Sequence, residues 1–156
     1  MRVLIMGLPG AGKTTLAKAI KVALEARDCT VTWVNADALR TQYNDWDFSE
    51  SGRVRQAQRM REAADSAVCD FAICDFVCPL QAMRYIFDAH FTIWVDTIQE
   101  GRFANTNQMF NPPTSWDVRV ISQDTMRWLP IILDRLMNSS YKHQIVQELV
   151  RPSNDL

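Results

Sequence analysis

The stretch Gly7–Thr14, GLPGAGKT, decides the fold. It follows a short aliphatic run, Arg2–Met6 (RVLIM), and opens Lys13–Arg27, where Leu16, Ala19, Ile20, Ala23 and Leu24 recur at the spacing of one helix face. Strand, glycine-rich turn and helix, in that order, are the context in which the pattern G-x-x-x-x-G-K-[ST] holds phosphate; Gly7, Gly12, Lys13 and Thr14 meet it. Glycines at 7, 10 and 12 free the backbone to turn successive N–H groups onto one anion. The helix that follows adds unpaired N–H groups and the positive end of its dipole. With Pro9, Ala11 and Thr15 these residues form the expected ATP cradle. Lys13 is expected to reach the β- and γ-phosphates, and Thr14 to place its hydroxyl on Mg²⁺.

Working outward, apolar runs and helical patterns alternate along the chain. Thr30–Asn35 (TVTWVN), Phe71–Asp75, Phe91–Asp96 and Trp116–Val120 read as strands. Ala38–Tyr43, Glu50–Val68 and Pro79–Ala89 read as helices, as do Thr125–Met137, in spite of Pro130, and a last segment at Gln144–Val150. Gly101–Ser115 breaks both periods and is expected to be a lid-like loop. This alternation predicts an α/β protein: a P-loop NTPase fold with about five mainly parallel strands and helices on both faces. At 156 residues the expectation is a single P-loop domain, 1–156.

Composition narrows the partners. With 17 basic and 18 acidic side chains there is no global field to recruit nucleic acid or an anionic membrane, and neither is an expected partner. Cys29, Cys69, Cys74 and Cys78 match no paired zinc spacing, and Cys74 is expected to be a buried free thiol. No secretory leader is evident, and no apolar run approaches the roughly 20 residues of a membrane helix. The cytoplasm is the expected location.

A phosphate loop alone leaves kinases, GTPases and motor-type ATPases open. The guanine-reading N-K-x-D segment of GTPases has no counterpart around Asn105 or Asn107, and a ring ATPase module would be longer. A small chain suits a kinase for a small hydroxyl-bearing acceptor. The second strand ends at Asn35-Ala36-Asp37, where carboxylates of such sheets face the ligand crevice. Asp37 is expected to orient the acceptor hydroxyl or take its proton, with capping of the next helix a compatible role. Arg40 is expected to hold an acceptor anion.

VNADALR, DFSESGRVRQAQR, ICDFVCP and WVDTIQE together resemble, in the same order, the adenylylsulfate kinases. Members of that family follow the phosphate loop with D-G-D-x-[IVL]-R, G-F-S-x-x-x-R and F-[IV]-S-P segments and a strand ending V-D. The resemblance covers about Arg2–Glu100 and implies transfer of the ATP γ-phosphate to the 3′-hydroxyl of adenylylsulfate, giving PAPS. It places Asp37 on the acceptor-side carboxylate, and Arg40 and Arg53 on acceptor-gripping arginines. Phe48 falls on the aromatic that stacks against the acceptor adenine, and Phe76 and Val77 on the acceptor-pocket segment. Guanidinium forks and an aromatic face are what an anionic purine calls for.

The chain also departs from that family. Asn35 and Ala36 stand for the Asp and Gly of D-G-D, Gln56 for an Asn near the acceptor, and Asp75 for a small hydroxyl residue. At the end of a central strand, Asp75 is expected to serve the Mg²⁺ side or to tune the acceptor pocket. The basic run K-G-L-Y-K-K-A-R of the family's lid has no counterpart in Gly101–Ser115, whose only cation is Arg102. A related kinase acting on a sugar, nucleoside or nucleic-acid end therefore stays open, as does an ATP-binding regulatory protein without transfer. Homodimerisation is left open as well.

Overall fold

The computed structural model describes residues 1–152. Five strands, β1 (Arg2–Met6), β2 (Val31–Asn35), β3 (Phe71–Asp75), β4 (Phe91–Val95) and β5 (Val118–Val120), form one sheet in the order β2-β3-β1-β4-β5. Every pairing is parallel. Parallel strands need crossovers, and the helices supply them. These are α1 (Lys13–Glu25), α2 (Ala36–Tyr43), α3 (Glu50–Ser66), α4 (Gln81–Phe87), α5 (Ala104–Met109) and α6 (Thr125–Val150).

Strand alternation sorts the core into two halves. Val3, Ile5, Ile73 and Ile93 pack with Leu16 and Ile20 of α1 and with Ile132 and Leu136 of α6. Leu4, Met6, Ala72 and Cys74 pack on the other face with Ala57 and Met60 of α3 and with Met83 and Phe87 of α4. β3 is buried at all five positions, the continuous burial of a strand covered on both sides. Cys74 is a free, buried thiol, as expected, and burial pushes its pKa up.

The sheet order places β1 between β3 and β4, whose connections run to opposite sides. Such a switch point opens a crevice beyond the C-terminal strand ends, where the turn after β1 emerges. The register brings Ile5 opposite Asp75, and Asp75 opposite Asn35, so three strand ends share one rim.

Two segments differ from expectation. Within Gly101–Ser115 the structure forms α5, held by tertiary hydrogen bonds described below, which override the weak helical preference of ANTNQM. The two helices expected after residue 125 are one, α6, running through Pro130. Pro130 lies near the start of α6, and the carbonyl it leaves without a partner belongs to Met126, an exposed residue that water can reach. The second half of α6 is anchored where the His143 ring meets His90 at 4.4 Å between centroids. No helix among the described residues is long and apolar enough to cross a membrane.

Candidate functional site

The loop between β1 and α1 is shaped by close approach. A Cβ on Gly7 would lie 2.4 Å from the Val95 carbonyl oxygen, so no side chain fits where the loop leaves the sheet beside β4. Gly12, at φ +103°, caps α1 in the left-handed region and turns the helix N-terminus towards the crevice. Lys13 donates from Nζ to the Leu8 carbonyl at 2.9 Å, across the loop. Burial lowers the Lys13 pKa to about 8, against the opposing pull of Asp75 and Asp37.

Asp75 is the centre of a donor cluster and is only 2% exposed. Thr14 Oγ1 donates to its Oδ2 at 3.0 Å. Trp33 Nε1 donates to Oδ1 at 3.2 Å, and Asn35 Nδ2 reaches Oδ1 at 3.1 Å and Oδ2 at 3.3 Å. Burial raises the Asp75 pKa, and the bonds from Trp33, Thr14 and Asn35 and the Lys13 charge counter it. A hydroxyl and a buried carboxylate side by side at a phosphate loop are the hard-oxygen donors that Mg²⁺ prefers. Asn35 also accepts from Ala38 N–H at 3.1 Å, capping α2. One amide therefore ties the acid on β3 to the helix that carries Asp37.

A crevice of about 1170 Å³ opens from this cluster. Pro9, Gly10, Lys13, Thr14, Asp37, Phe48, Arg53, Asp75, Phe76 and Val77 all line it. Residues far apart in sequence are thus brought to one cavity. Ala11, Gly12 and Thr15 line a separate recess of about 180 Å³ on the other side of the loop, with Thr97, Gln123 and Trp128. Gln123 Nε2 donates to the Gly10 carbonyl at 3.2 Å, bracing the loop from behind.

Arg40 is not part of the crevice lining. It is buried beneath Phe48, 4.4 Å from the ring centroid, and donates to the carbonyls of Asp45 and Asp47 at 3.1 and 3.2 Å. Arg53 approaches the same ring at 5.3 Å and donates to the Phe48 carbonyl at 3.0 Å. Phe48 itself is half exposed, its ring presented to the cavity. The turn that carries it is pinned by Asp45 and Asp47 against Arg55 and Arg59. Hydrogen bonds from Ser49 and Arg55 hold the Asp47 pKa down to about 2, and those from Arg55, Asp47 N–H and Arg59 hold Asp45 lower still.

Above this pocket, Arg53 Nη2 donates to the buried Thr106 hydroxyl of α5 at 2.7 Å. The Asn107 carboxamide spans Gly101, accepting from its N–H at 2.8 Å and donating to its carbonyl at 3.0 Å. Gly101 in turn rests against Pro9, where an added Cβ would lie 3.0 Å from the carbonyl oxygen. The segment from Gly101 to Asn111 therefore closes over the crevice from the phosphate-loop side to α3. Trp33, Thr106, Asn107 and Gln123 escaped the reading of the sequence. Only Trp33 carried a signal there, standing two residues before Asn35 on the same face of β2.

Residues 1–100 match the adenylylsulphate kinase family. The chain belongs to that family. The match to the family ends where the α5 segment begins, so the part of the chain that covers the crevice lies outside it. Among solved structures, the Mycobacterium tuberculosis APS kinase CysC in complex with AMPPNP and APS superposes with a TM-score of 0.75 at 19% identity, covering 87% of this chain and 96% of that one. The hexameric APS kinase from Thiobacillus denitrificans gives 0.71 at 23% identity, with 90% of this chain and 29% of that one. A gluconokinase from Sinorhizobium meliloti 1021 gives 0.66 at 13% identity, covering 92% and 95%. At these identities the family's fold is shared with kinases of quite different acceptors. No curated protein matches the chain in sequence.

Proposed function

We propose that the protein transfers the γ-phosphate of ATP to a hydroxyl of a small acceptor held in the crevice, the family's acceptor being adenylylsulfate and its product PAPS. The observation that carries this reading is the meeting of two chemistries in one cavity. Thr14 and Asp75 form a hydroxyl–carboxylate pair 3.0 Å apart, and Asp37, Phe48 and Arg53 line the same cavity.

Phosphoryl transfer asks the protein for position and charge rather than covalent chemistry. The loop N–H groups and Lys13 hold the β- and γ-phosphates. Thr14 and Asp75 would hold Mg²⁺, which when bound draws charge from the phosphate oxygens. Asp37, on the first turn of α2, orients the acceptor hydroxyl and takes its proton. Phe48 offers a face to a flat ring, Arg40 supports that face from below, and Phe76 and Val77 line the same cavity. The α5 segment keeps water out, so that the phosphoryl group meets the acceptor and not solvent.

A second reading, phosphorylation of another hydroxyl compound, is favoured by where the arginines point. Arg40 and Arg53 spend hydrogen bonds on carbonyls and on Thr106, while Asp37 and Glu50 add carboxylates to the lining. Transfer of label from γ-³²P-ATP separates the two. Label is expected in adenylylsulfate; label confined to a sugar or nucleoside offered beside it would replace adenylylsulfate as the acceptor. ATP binding with no labelled acceptor at all would count against transfer.

A further inference from the structure

The acid beside the phosphate loop is held by a side chain that lines neither cavity. Trp33 and Asn35 project to the same face of β2, and the register sets Asn35 opposite Asp75. Asn35 touches both carboxylate oxygens and so does not choose between them. Trp33 touches Oδ1 alone, at 3.2 Å, and Thr14 touches Oδ2 at 3.0 Å.

The arrangement fixes a direction. A hydroxyl has one proton and two acceptor lone pairs. While Thr14 donates its proton to Asp75, its lone pairs face away from Asp75 and are free to accept a cation held by the phosphates. That orientation lasts only while the carboxylate keeps one rotamer, and the terminal torsion of an aspartate is intrinsically broad. An indole N–H suits the task because it can only donate. The Trp33 ring is partly buried against the α1-side core, which restrains its donor.

We propose that Trp33 is a positioning residue for the nucleotide's cation: it locks Asp75, and Asp75 locks the Thr14 hydroxyl with its lone pairs outward. The inference rests on the reading that Thr14 and Asp75 hold the Mg²⁺ of ATP. Partners that orient a metal site from behind its ligands typically change metal affinity by about 10–100-fold when removed.

The test is calorimetric binding of ADP to the full chain, with excess Mg²⁺ and with EDTA, for wild type, Trp33→Phe and Trp33→His. In EDTA the three are expected to agree within about twofold, since Trp33 lies away from the phosphate cradle. The tightening brought by Mg²⁺ is expected to fall about tenfold in Trp33→Phe and to recover in part in Trp33→His, which keeps a ring N–H. Full tightening in Trp33→Phe would overturn the role, and so would an equal loss in both variants, which would mark packing rather than the donor. Absence of any Mg²⁺ tightening in wild type would overturn the magnesium reading beneath it, and the inference with it. Should Trp33→Phe fail to fold, the wild-type indole N–H resonance, assigned through Trp33→His, decides. It is expected to shift when Mg²⁺ joins bound ADP, and a resonance that stays in place would overturn the proposal.

Discussion

Lys13 shows how a single residue carries the linkage between protons and nucleotide. Burial holds its pKa at about 8 in the nucleotide-free protein, with Asp75 and Asp37 pulling the other way. Phosphates arriving beside the ammonium favour its charged form and raise that pKa again. Binding of ATP near pH 8.5 should therefore draw in a proton, up to about one per nucleotide, and near pH 6.5 should draw in none there. Calorimetry in buffers of different ionisation enthalpy measures the uptake, and Lys13→Ala should abolish most of the binding along with it. Equal uptake at both pH values would refute the assignment. Asp37 makes the complementary prediction. Asp37→Asn keeps the shape but removes the base, so turnover should fall by about 10²–10⁴-fold. ATP should still bind, because Asp37 lies on α2 and not in the loop, and any change should be a tightening, since the lost charge opposes the phosphates. A mutant that turns over at the wild-type rate would remove Asp37 from the chemistry.

At the scale of elements, α5 is short and has no side-chain cap, so its helicity depends on what holds it. Asn107 ties it to Gly101, and Thr106 ties it to Arg53. Asn107→Ala removes both bonds to Gly101 and should loosen the segment without touching the loop that holds phosphate. The expected result is an acceptor KM raised several-fold and a larger share of ATP lost to water, with nucleotide affinity kept. An unchanged ratio of hydrolysis to transfer would show that α5 does not exclude solvent. The turn that carries Phe48 responds to pH instead. Asp45 and Asp47 have folded pKa values below the ordinary carboxylate value of about 3.9. The ion pairs with Arg55 and Arg59 therefore contribute fully above pH 4; the Asp47 pair is lost as pH falls through about 2, and the Asp45 pairs persist lower still. Phe48 should lose its fixed placement in that window; Trp46 emission, reporting from 6.4 Å away, is the measurement.

For the whole molecule, the local patterns sufficed where backbone physics is local. The glycines, Lys13 and Thr14 announced the loop because phosphate binding there needs that spacing and no other part of the chain. The strands were legible from apolar runs, and the order of motifs brought the family into view. The α5 segment and the unbroken α6 were not legible, because both depend on partners distant in sequence: Arg53 for Thr106, and His90 for the far half of α6. Arg40 shows the same limit at the site, since only the fold reveals that its guanidinium lies under Phe48 and not in the cavity. The His90–His143 contact gives the last prediction. His90 Nδ1 accepts from the Arg2 N–H at 2.8 Å, so the ring must stay neutral to keep the bond. Burial, Arg2, His143 and the amino terminus together lower its pKa to about 4. The unfolded value is about 6.5, so the unfolded chain binds the proton first as pH falls. Stability from this contact is complete above about pH 6.5 and is lost progressively towards pH 4. The thermal midpoint should therefore decline across that interval. In His90→Asn, whose amide oxygen can still accept from Arg2 but does not titrate, the decline should be shallower. Parallel pH profiles for the two proteins would show that protonation of His90 does not govern the decline.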